Sequence, residues 1–320
     1  MDYIKLGNSD IEVSRFCLGC MSFGDPASKM HDWTLNPEQS ETIIKHALDL
    51  GINFIDTANT YSSGTSEEYV GRAIKRNIAR DKVILATKVY FNEGHLSKTA
   101  IEREIEGSLR RLGTDYVDLY IIHRFDYSTP IEETMAALHH LVQSGKVRAL
   151  GASAMYGYQF YNMQLVAKQN GWTPFVSMQN HYNLLYREDE RELIPVCKQF
   201  NVSLTPYSPL AAGRLSRLEW QTNTLRSKTD KTAVAKYDST QQIDMNIVKR
   251  VNEIAQKYAV TMTQVALAWQ FAKGVASPII GATKTLYLDD AVGALKLSLT
   301  KEDIAYLEEL YLPHRIVGAL

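Results

Sequence analysis

The stretch VILATKVYFNEGHLSKTAIEREIEGSLRRLGTDYVDLYIIH, residues 83–123, decides the fold class of this 320-residue chain. It begins with an apolar run, continues as an amphipathic helix that Ser97 can cap and Gly113 can end, and finishes in a second apolar run. Two strands separated by one helix run parallel in the same sheet, because the helix returns the chain to its starting edge. The stretch therefore predicts a strand–helix–strand unit of an α/β protein.

The same alternation extends over most of the chain. Eight apolar runs are predicted to be strands, at residues 16–18, 53–55, 83–86, 117–122, 147–150, 175–178, 202–205 and 276–280. Asn36 and Thr129 open predicted capping boxes, and further helices are predicted at residues 66–76, 98–112, 158–169, 188–200, 243–258 and 261–273. Eight such units fit a closed (β/α)8 barrel, the TIM-barrel fold.

Two further features complete the predicted fold. The runs YIKL and IEV flank a turn at residues 7–10 and predict an N-terminal β-hairpin. Residues 214–245 have no sustained periodicity and predict a long loop after strand 7, on the face where such barrels bind phosphate, although a solvated insertion is an open alternative. We expect residues 1–320 to form a single barrel domain. An open doubly wound sheet is less consistent, because no G-x-G-x-x-G follows the first strand.

Composition excludes several classes of protein. With 35 basic and 36 acidic residues, the net charge of −1 gives no electrostatic basis for a dedicated nucleic-acid binder. The N-terminus MDYIKLGNSD is unlike a signal peptide, and no stretch is apolar enough for a membrane span. Three cysteines suit a reducing compartment rather than a disulfide framework, so we expect a cytoplasmic protein. No interface is evident, and the oligomeric state stays open.

Four polar side chains follow three successive predicted strands. Asp56 and Tyr61 follow strand 2, Lys88 follows strand 3 and His123 follows strand 4. Barrel enzymes carry their catalytic groups at these strand ends. An ammonium beside a phenol favours the phenolate, so Lys88 is expected to lower the pKa of Tyr61. With Asp56 holding Lys88 and His123 orienting an oxygen, the set suits proton donation to a carbonyl.

Other interpretations remain open at this point. Lys88 alone is also compatible with a Schiff-base mechanism of the aldolase type. Cys17 and Cys20 have C-x-x-C spacing, but residues three apart on a strand point to opposite faces, so we interpret them as core thiols. No metal-ligand spacing is present, and no metal site is predicted.

The chain resembles the aldo-keto reductase family over nearly its whole length. The resemblance rests on GINFIDTANTY, ATK and IIHR, which contain the four residues above, and on SGKVRALGAS, QNHYNLLYRE, TPYSPLAAGRL and IIGATK. HRFDYSTPIEETMAALHHLV and GASAMYGYQF resemble its aryl-alcohol dehydrogenase-like branch, which includes versiconal hemiacetal acetate reductase-like enzymes. The resemblance implies reduction of an aldehyde or ketone by NADPH, with Tyr61 as general acid.

The resemblance also implies a set of NADP(H) contacts. Ser153 and Gln179 match the positions that hold the nicotinamide carboxamide, and Tyr207 matches the aromatic ring that stacks on the nicotinamide. The other implied contacts are Ser208, Leu210, Gly213 and Arg214 at the pyrophosphate, Gly281, Ala282, Thr283 and Lys284 at the 2′-phosphate, and Asp290 at the adenine. Ala154, Tyr287 and Ala291 depart from residues common in the family, which leaves the preference for NADP(H) over NAD(H) less firmly implied.

Loops around the barrel mouth are expected to select the substrate. Trp33, Tyr90 and Phe125 are the candidate substrate contacts, with Met30, His31 and Phe91 beside them. Such an aromatic lining favours apolar or aryl carbonyls. A cofactor-binding, redox-sensing regulatory subunit of the same family type is the alternative function.

Overall fold

A computed structural model describes residues 1–318 of the chain. In this range the strands are β1 (Tyr3–Lys5), β2 (Glu12–Ser14), β3 (Cys17–Gly19), β4 (Phe54–Asp56), β5 (Ile84–Val89), β6 (Val117–Ile122), β7 (Val147–Ser153), β8 (Phe175–Gln179), β9 (Ser203–Leu204) and β10 (Ile279–Gly281). The helices are α1 (Pro37–Asp49), α2 (Thr65–Asn77), α3 (Lys98–Leu112), α4 (Ile131–Gln143), α5 (Gly157–Asn170), α6 (Leu193–Gln199), α7 (Leu225–Thr229), α8 (Lys231–Tyr237), α9 (Gln241–Tyr258), α10 (Met262–Ala272), α11 (Thr285–Gly293) and α12 (Lys301–Glu308).

The predicted (β/α)8 barrel is confirmed. Strands β3 to β10 form one parallel sheet in the order β10-β3-β4-β5-β6-β7-β8-β9. Backbone hydrogen bonds close the ring between the outer strands, from Ala276 N to Leu204 O at 3.0 Å and from Ile279 N to Pro206 O at 2.9 Å. The predicted hairpin is also present, as the antiparallel pair β1 and β2.

Side-chain alternation along the strands builds two cores. Cys17, Phe54 and Leu119 point into the barrel, where hairpin residues Leu6 and Val13 pack with them. The alternate strand residues pack outwards against the helices in a second, larger core. Because the hairpin covers the N-terminal end of the barrel, the mouth lies at the C-terminal strand ends.

The interpretation of the cysteines as core thiols is confirmed. Cys17 belongs to the inner core and Cys20 to the outer one, as their opposite faces require, and Cys197 is buried too. Burial raises the pKa of all three thiols.

Among residues 1–318, no helix is both long and apolar enough to cross a membrane.

Side-chain caps were predicted for three helices, and two of them are present. The Asn36 side chain accepts from Gln39 N at the start of α1, and Ser97 caps α3. The capping box at Thr129 was wrong, because its hydroxyl donates to Asp126 at 2.7 Å and α4 begins without a side-chain cap. A competing side-chain acceptor has taken the capping hydroxyl.

Two other segments differ from the prediction. The helix predicted at residues 188–200 is a 3-10 turn at Glu188–Glu190 followed by the shorter α6. The long loop predicted at residues 214–245 contains α7, α8 and the first turn of α9. Thr224 and Asp230 cap these two helices, which are too short to show a periodic pattern.

Candidate active site

Three of the four predicted catalytic side chains form one hydrogen-bonded cluster at the barrel mouth. Asp56 ends β4, Lys88 lies near the end of β5, and Tyr61 follows β4 in a short 3-10 turn. The Lys88 ammonium donates to Asp56 Oδ2 at 2.6 Å, to Thr57 O at 2.8 Å and to the Tyr61 hydroxyl at 3.2 Å. All three donor hydrogens of the ammonium are therefore used, which fixes its position.

Burial and the Asp56–Lys88 ion pair set the protonation states of this cluster. Burial alone would lower the pKa of Lys88, but the charges and hydrogen bonds of Asp56 and Tyr61 together outweigh it and hold that pKa above its usual value. Burial raises the pKa of Asp56, and the Lys88 charge only partly opposes that shift. Lys88 lowers the pKa of Tyr61 as expected, but burial raises it by more, so the net shift is upward rather than towards neutral pH. Tyr61 thus stays protonated at neutral pH.

His123 joins the cluster from the end of β6. Its backbone N–H donates to Val89 O at 2.9 Å, and its ring lies edge-on to Tyr61 with 5.9 Å between centroids. Burial, together with the charges of Lys88 and Arg124, holds the pKa of His123 well below its usual value. The imidazole is therefore neutral at pH 7, and its buried Nδ1 has no hydrogen-bond partner among residues 1–318.

The two residues expected at the nicotinamide carboxamide lie side by side. Ser153 ends β7 and pairs in register with Gln179, which ends β8. The Ser153 hydroxyl donates to Gln179 O at 2.8 Å, and Gln179 Nε2 donates to Asp56 Oδ1 at 3.0 Å. These contacts connect both residues to the cluster of Asp56, Lys88 and Tyr61.

Tyr207 lies in a stack of aromatic rings. His181 is parallel to it, at 5.1 Å between centroids and an interplanar angle of 7°, and Tyr186 stacks 4.1 Å from His181. The Tyr207 hydroxyl is buried without a partner among residues 1–318. Gly318 lies so close that a Cβ there would be 2.5 Å from that hydroxyl.

The segment after Tyr207 is conformationally strained. Ser208, Ala211 and Ala212 all have positive φ, at 54°, 49° and 54°, which non-glycine residues rarely adopt. Leu210 and Gly213 belong to the same tight turns. The end of this segment lines a cavity of about 80 Å³. Three guanidinium groups help to line this cavity, those of Arg214, Arg217 and Arg226. Arg214 also forms an ion pair with Asp238.

The residues expected at the adenosine end lie beyond β10. Gly281 and Lys284 are exposed, and Thr283 is half-buried. Asp290 accepts hydrogen bonds from Thr261 at 2.8 Å and from Gln264 at 3.0 Å, so one carboxylate oxygen is already used by α10.

The candidate substrate residues are divided between two sides of the mouth. Trp33 is buried between His31, stacked at 4.5 Å, and the Arg226 guanidinium, 4.3 Å from the ring centroid. Among the aromatic residues on the other side, Phe91 is the ring that meets His123, edge-on at 5.0 Å.

The remaining candidates surround these rings. Tyr90 lies against Phe91 at 5.1 Å, and Phe125 against Tyr127 at 5.0 Å. Met30 reaches the turn that carries Tyr61, where its sulfur accepts from Ser62 N at 3.1 Å.

Comparison with known proteins identifies the family of the chain. A family model described as the aldo/keto reductase family matches residues 15–312. The chain belongs to this family. The versiconal hemiacetal acetate reductase of Aspergillus parasiticus is 42% identical over 99% of this chain and 98% of its own length. An aryl-alcohol dehydrogenase-like protein of Schizosaccharomyces pombe is 42% identical over 99% of this chain and 98% of its own length.

A solved structure agrees with this assignment. The thermostable aldo-keto reductase Tm1743, in complex with the inhibitor epalrestat, is 28% identical and superposes with a TM-score of 0.77. The match covers 97% of this chain and 100% of that one. Both the predicted family and its aryl-alcohol dehydrogenase-like branch are therefore confirmed.

Sequence reasoning missed three side chains at the mouth of this aldo/keto reductase. Arg124 directly follows His123 in IIHR, and His181 lies in QNHYNLLYRE, so the motifs contain both residues but do not indicate where their side chains lie. Lys236 lies on α8, and its ammonium is 4.5 Å from the centroid of the Tyr207 ring. No sequence pattern marks it, because a lysine in a charged segment reads as solvated surface.

Proposed function

We propose that this chain is an NADP-dependent carbonyl reductase in which Tyr61 is the general acid. Family membership supports an oxidoreductase that acts on carbonyl compounds. The single observation that carries the finer proposal is the contact between Lys88, Tyr61 and Asp56 at the barrel mouth, with His123 beside them.

Tyr61 is the proton donor of the proposed reaction. The Lys88 ammonium donates to the phenol oxygen, so the phenol O–H is free to point to a substrate. As the proton moves to the carbonyl oxygen, negative charge develops on Tyr61 next to a fixed positive charge. Lys88 thus stabilises the transition state more than the ground state, which is the condition for faster catalysis.

His123 and Asp56 support this transfer. The neutral His123 acts as a hydrogen-bonding group that orients the carbonyl oxygen, since its lowered pKa keeps it from being an acid at pH 7. Asp56 holds Lys88 charged and in place. When bound, NADPH supplies the hydride that is added to the carbonyl carbon, and the product is an alcohol.

The residues around the mouth fit a dinucleotide. Ser153 and Gln179 present polar groups next to Asp56, Tyr207 is assigned to the nicotinamide ring, and the arginine-lined cavity lies further along the same segment. We assign the pyrophosphate to Ser208, Leu210, Gly213 and Arg214, the 2′-phosphate to Gly281, Thr283 and Lys284, and the adenine to Asp290. An exposed ammonium such as that of Lys284 is suited to pair with a phosphate.

The substrate is proposed to be an apolar or aryl carbonyl. Phe91, which is 50% exposed and edge-on to His123, extends the site outwards as an aromatic wall. Trp33, Tyr90 and Phe125 are assigned to the same substrate region. The relative from Aspergillus parasiticus is, by its name, a reductase of versiconal hemiacetal acetate.

The alternatives have less support. A Schiff-base lysine must be neutral to attack a carbonyl, whereas Asp56 raises the pKa of Lys88 and both side chains are buried. The comparisons give no support to a regulatory subunit, since the relatives above are named as reductases and dehydrogenases.

The proposal is tested by following NADPH oxidation with a set of aldehydes, ketones, sugars and quinones, repeated with NADH. We expect turnover of aromatic aldehydes with NADPH and weaker turnover with NADH. If the protein is folded and binds NADPH but oxidises it with no carbonyl of the set, the proposed reductase activity is refuted. That result would favour the regulatory alternative.

A further inference from the structure

Tyr61 begins a turn in which each of the next three residues has a positive φ. Ser62, Ser63 and Gly64 have φ values of 46°, 56° and 94°, and the first two carry side chains that rarely adopt this region. Such a backbone persists only where its surroundings hold it in place. The position of the Tyr61 phenol therefore depends on contacts beyond its hydrogen bond to Lys88.

Arg111 of α3 provides one of these contacts. Its side chain lies against the turn, so close that a Cβ at Gly64 would be 2.8 Å from its Cδ and 2.9 Å from its Nε. Gly107, one helical turn earlier, leaves room for the guanidinium, since a Cβ there would be 3.0 Å from a terminal nitrogen of that group. The Arg111 Nε donates to Glu67 Oε2 at 2.6 Å. The carboxylate of Glu67, in the first turn of α2, therefore holds Arg111 against the Tyr61 turn.

The other oxygen of Glu67 reaches the strand that carries Lys88. Glu67 Oε1 accepts from the Thr87 hydroxyl at 2.5 Å, and Thr87 directly precedes Lys88 on β5. Successive side chains of a strand point to opposite faces, so Thr87 reaches α2 while Lys88 reaches Asp56. Glu67 and Thr87 are both fully buried. One buried carboxylate thus links the helix that follows the Tyr61 turn to the strand of Lys88 and to α3.

We propose that Glu67, Thr87 and Arg111 are positioning residues for the proposed reaction. They hold the Tyr61 turn and the strand of Lys88 at a fixed separation, which sets the 3.2 Å contact between the Lys88 ammonium and the Tyr61 hydroxyl. The inference rests on the proposed function, because this contact affects the rate only if Tyr61 delivers its proton beside Lys88.

A purely structural role of the same three residues makes a different prediction. If they only stabilise the fold, their loss lowers the free energy of unfolding and leaves kcat of the folded enzyme unchanged. If they position Tyr61, the folded variants lose kcat as well, because misplacement of reacting groups by about 1 Å costs on the order of a hundredfold in rate. Kinetics of folded variants therefore distinguish the two roles.

Thr87→Val is the mildest test, because it removes one buried hydroxyl and nearly keeps the shape of the side chain. Thr87→Ser keeps the hydroxyl and is the conservative variant. Thr134→Val is the matched control, since Thr134 on α4 is also buried and its hydroxyl donates to Leu96 O at 3.1 Å. Glu67→Gln breaks the second link, because an amide keeps an acceptor for Thr87 but lacks the charge that pairs with Arg111.

Steady-state rates are measured with NADPH and an aromatic aldehyde on proteins that urea unfolding shows to be folded. We expect Thr87→Val and Glu67→Gln to lower kcat by about ten- to a hundredfold and to change KM by less than about threefold. Thr87→Ser and Thr134→Val are expected to stay near the wild-type kcat. A kcat loss in Thr87→Ser as large as that in Thr87→Val would contradict a role for the hydrogen bond.

The pH dependence of the reverse reaction reports on the Tyr61–Lys88 contact itself. In alcohol oxidation the phenolate of Tyr61 takes up the proton of the alcohol, and the charged or titratable groups around this phenol are Lys88, Asp56, His123 and Arg124. Lys88 lowers the pKa of Tyr61, so a longer contact raises the apparent pKa of alcohol oxidation. We expect this upward shift in the two positioning variants and no shift in the control.

Crystal structures of wild type and Thr87→Val separate this proposal from the proposed function. We expect a longer distance from Lys88 Nζ to the Tyr61 hydroxyl in the variant. That result in a protein that reduces no carbonyl would show that the three residues set the geometry of the pair, and would refute only the proposed function. An active wild type overturns the positioning role if Thr87→Val and Glu67→Gln keep its kcat and pH profile, or if Thr134→Val loses as much kcat as Thr87→Val.

Discussion

Replacing Lys88 with methionine removes the charge at the centre of the candidate site while nearly keeping its volume. The ammonium is fully buried and makes hydrogen bonds to Asp56, Thr57 and Tyr61. In the variant, Asp56 keeps only the amide of Gln179, at 3.0 Å. A carboxylate that is 2% exposed is then left without its counter-charge.

The expected loss of stability follows from that uncompensated carboxylate. Breaking a buried ion pair by removing one partner costs about 3–5 kcal/mol, far more than the loss of a surface pair. Burial raises the pKa of Asp56, and loss of Lys88 raises it further. The carboxyl therefore takes up a proton more readily in the folded variant than in the unfolded chain, so the loss is full at pH 8 and shrinks as the pH falls.

Urea unfolding at pH 8 and pH 5 measures the effect, with the exposed Lys168→Met as the matched control. The double variant Asp56→Asn with Lys88→Met has no buried charge in the pair and is expected to be more stable than Lys88→Met at pH 8. A loss below about 1 kcal/mol at pH 8, or one equal at both pH values, would show that the pair does not carry the energetic role argued for it.

Three further predictions concern other parts of the barrel. Lys284→Ala is expected to weaken the binding of NADPH about tenfold or more and the binding of NADH little, with Lys168→Ala as the control. Equal losses of affinity for the two dinucleotides would mean that the 2′-phosphate binds elsewhere. Burial alone would lower the pKa of His314, but its hydrogen bond to the buried Asp244 raises it, so the stability it contributes is full below about pH 6.5 and is lost as the pH rises through the raised value. His314→Gln should therefore destabilise the protein more at pH 6 than at pH 9 in urea unfolding, and a pH-independent difference would contradict this. Gly71→Ala would place a Cβ 2.2 Å from a backbone oxygen of α3, and thermal and urea unfolding should show a loss of about 1–3 kcal/mol, where unchanged stability would mean that the helices separate freely.

The barrel was predictable because its evidence is repeated along the chain. Each strand–helix unit contributes an apolar run and a helix with its own start or end signal, such as Asn36 for α1 or Gly113 for α3. The strand ends then place Asp56, Lys88 and His123 at one mouth by topology alone. The eight units together indicate a barrel even where the prediction for one unit is wrong.

Competing side-chain hydrogen bonds and the burial that folding imposes explain what was not predictable. Thr129 has the residue pattern of a capping box, but its hydroxyl donates to Asp126 instead. The net pKa shift of Tyr61 depends on how deeply the folded chain buries the phenol, and residue spacing does not indicate that depth. Lys236 is half-buried because α8 places its ammonium over the Tyr207 ring, whereas its sequence neighbourhood is typical of exposed surface.

The central claim is that Tyr61 donates the proton in NADPH-dependent carbonyl reduction. The most direct measurement is NADPH oxidation by Tyr61→Phe with the best aldehyde of the wild type, beside NADPH binding by fluorescence quenching. Tyr161→Phe, a change at a surface position on α5, is the control. The account predicts unchanged NADPH affinity and a kcat reduced about 10²- to 10⁴-fold, the range for loss of a general acid. Turnover near the wild-type value would contradict it.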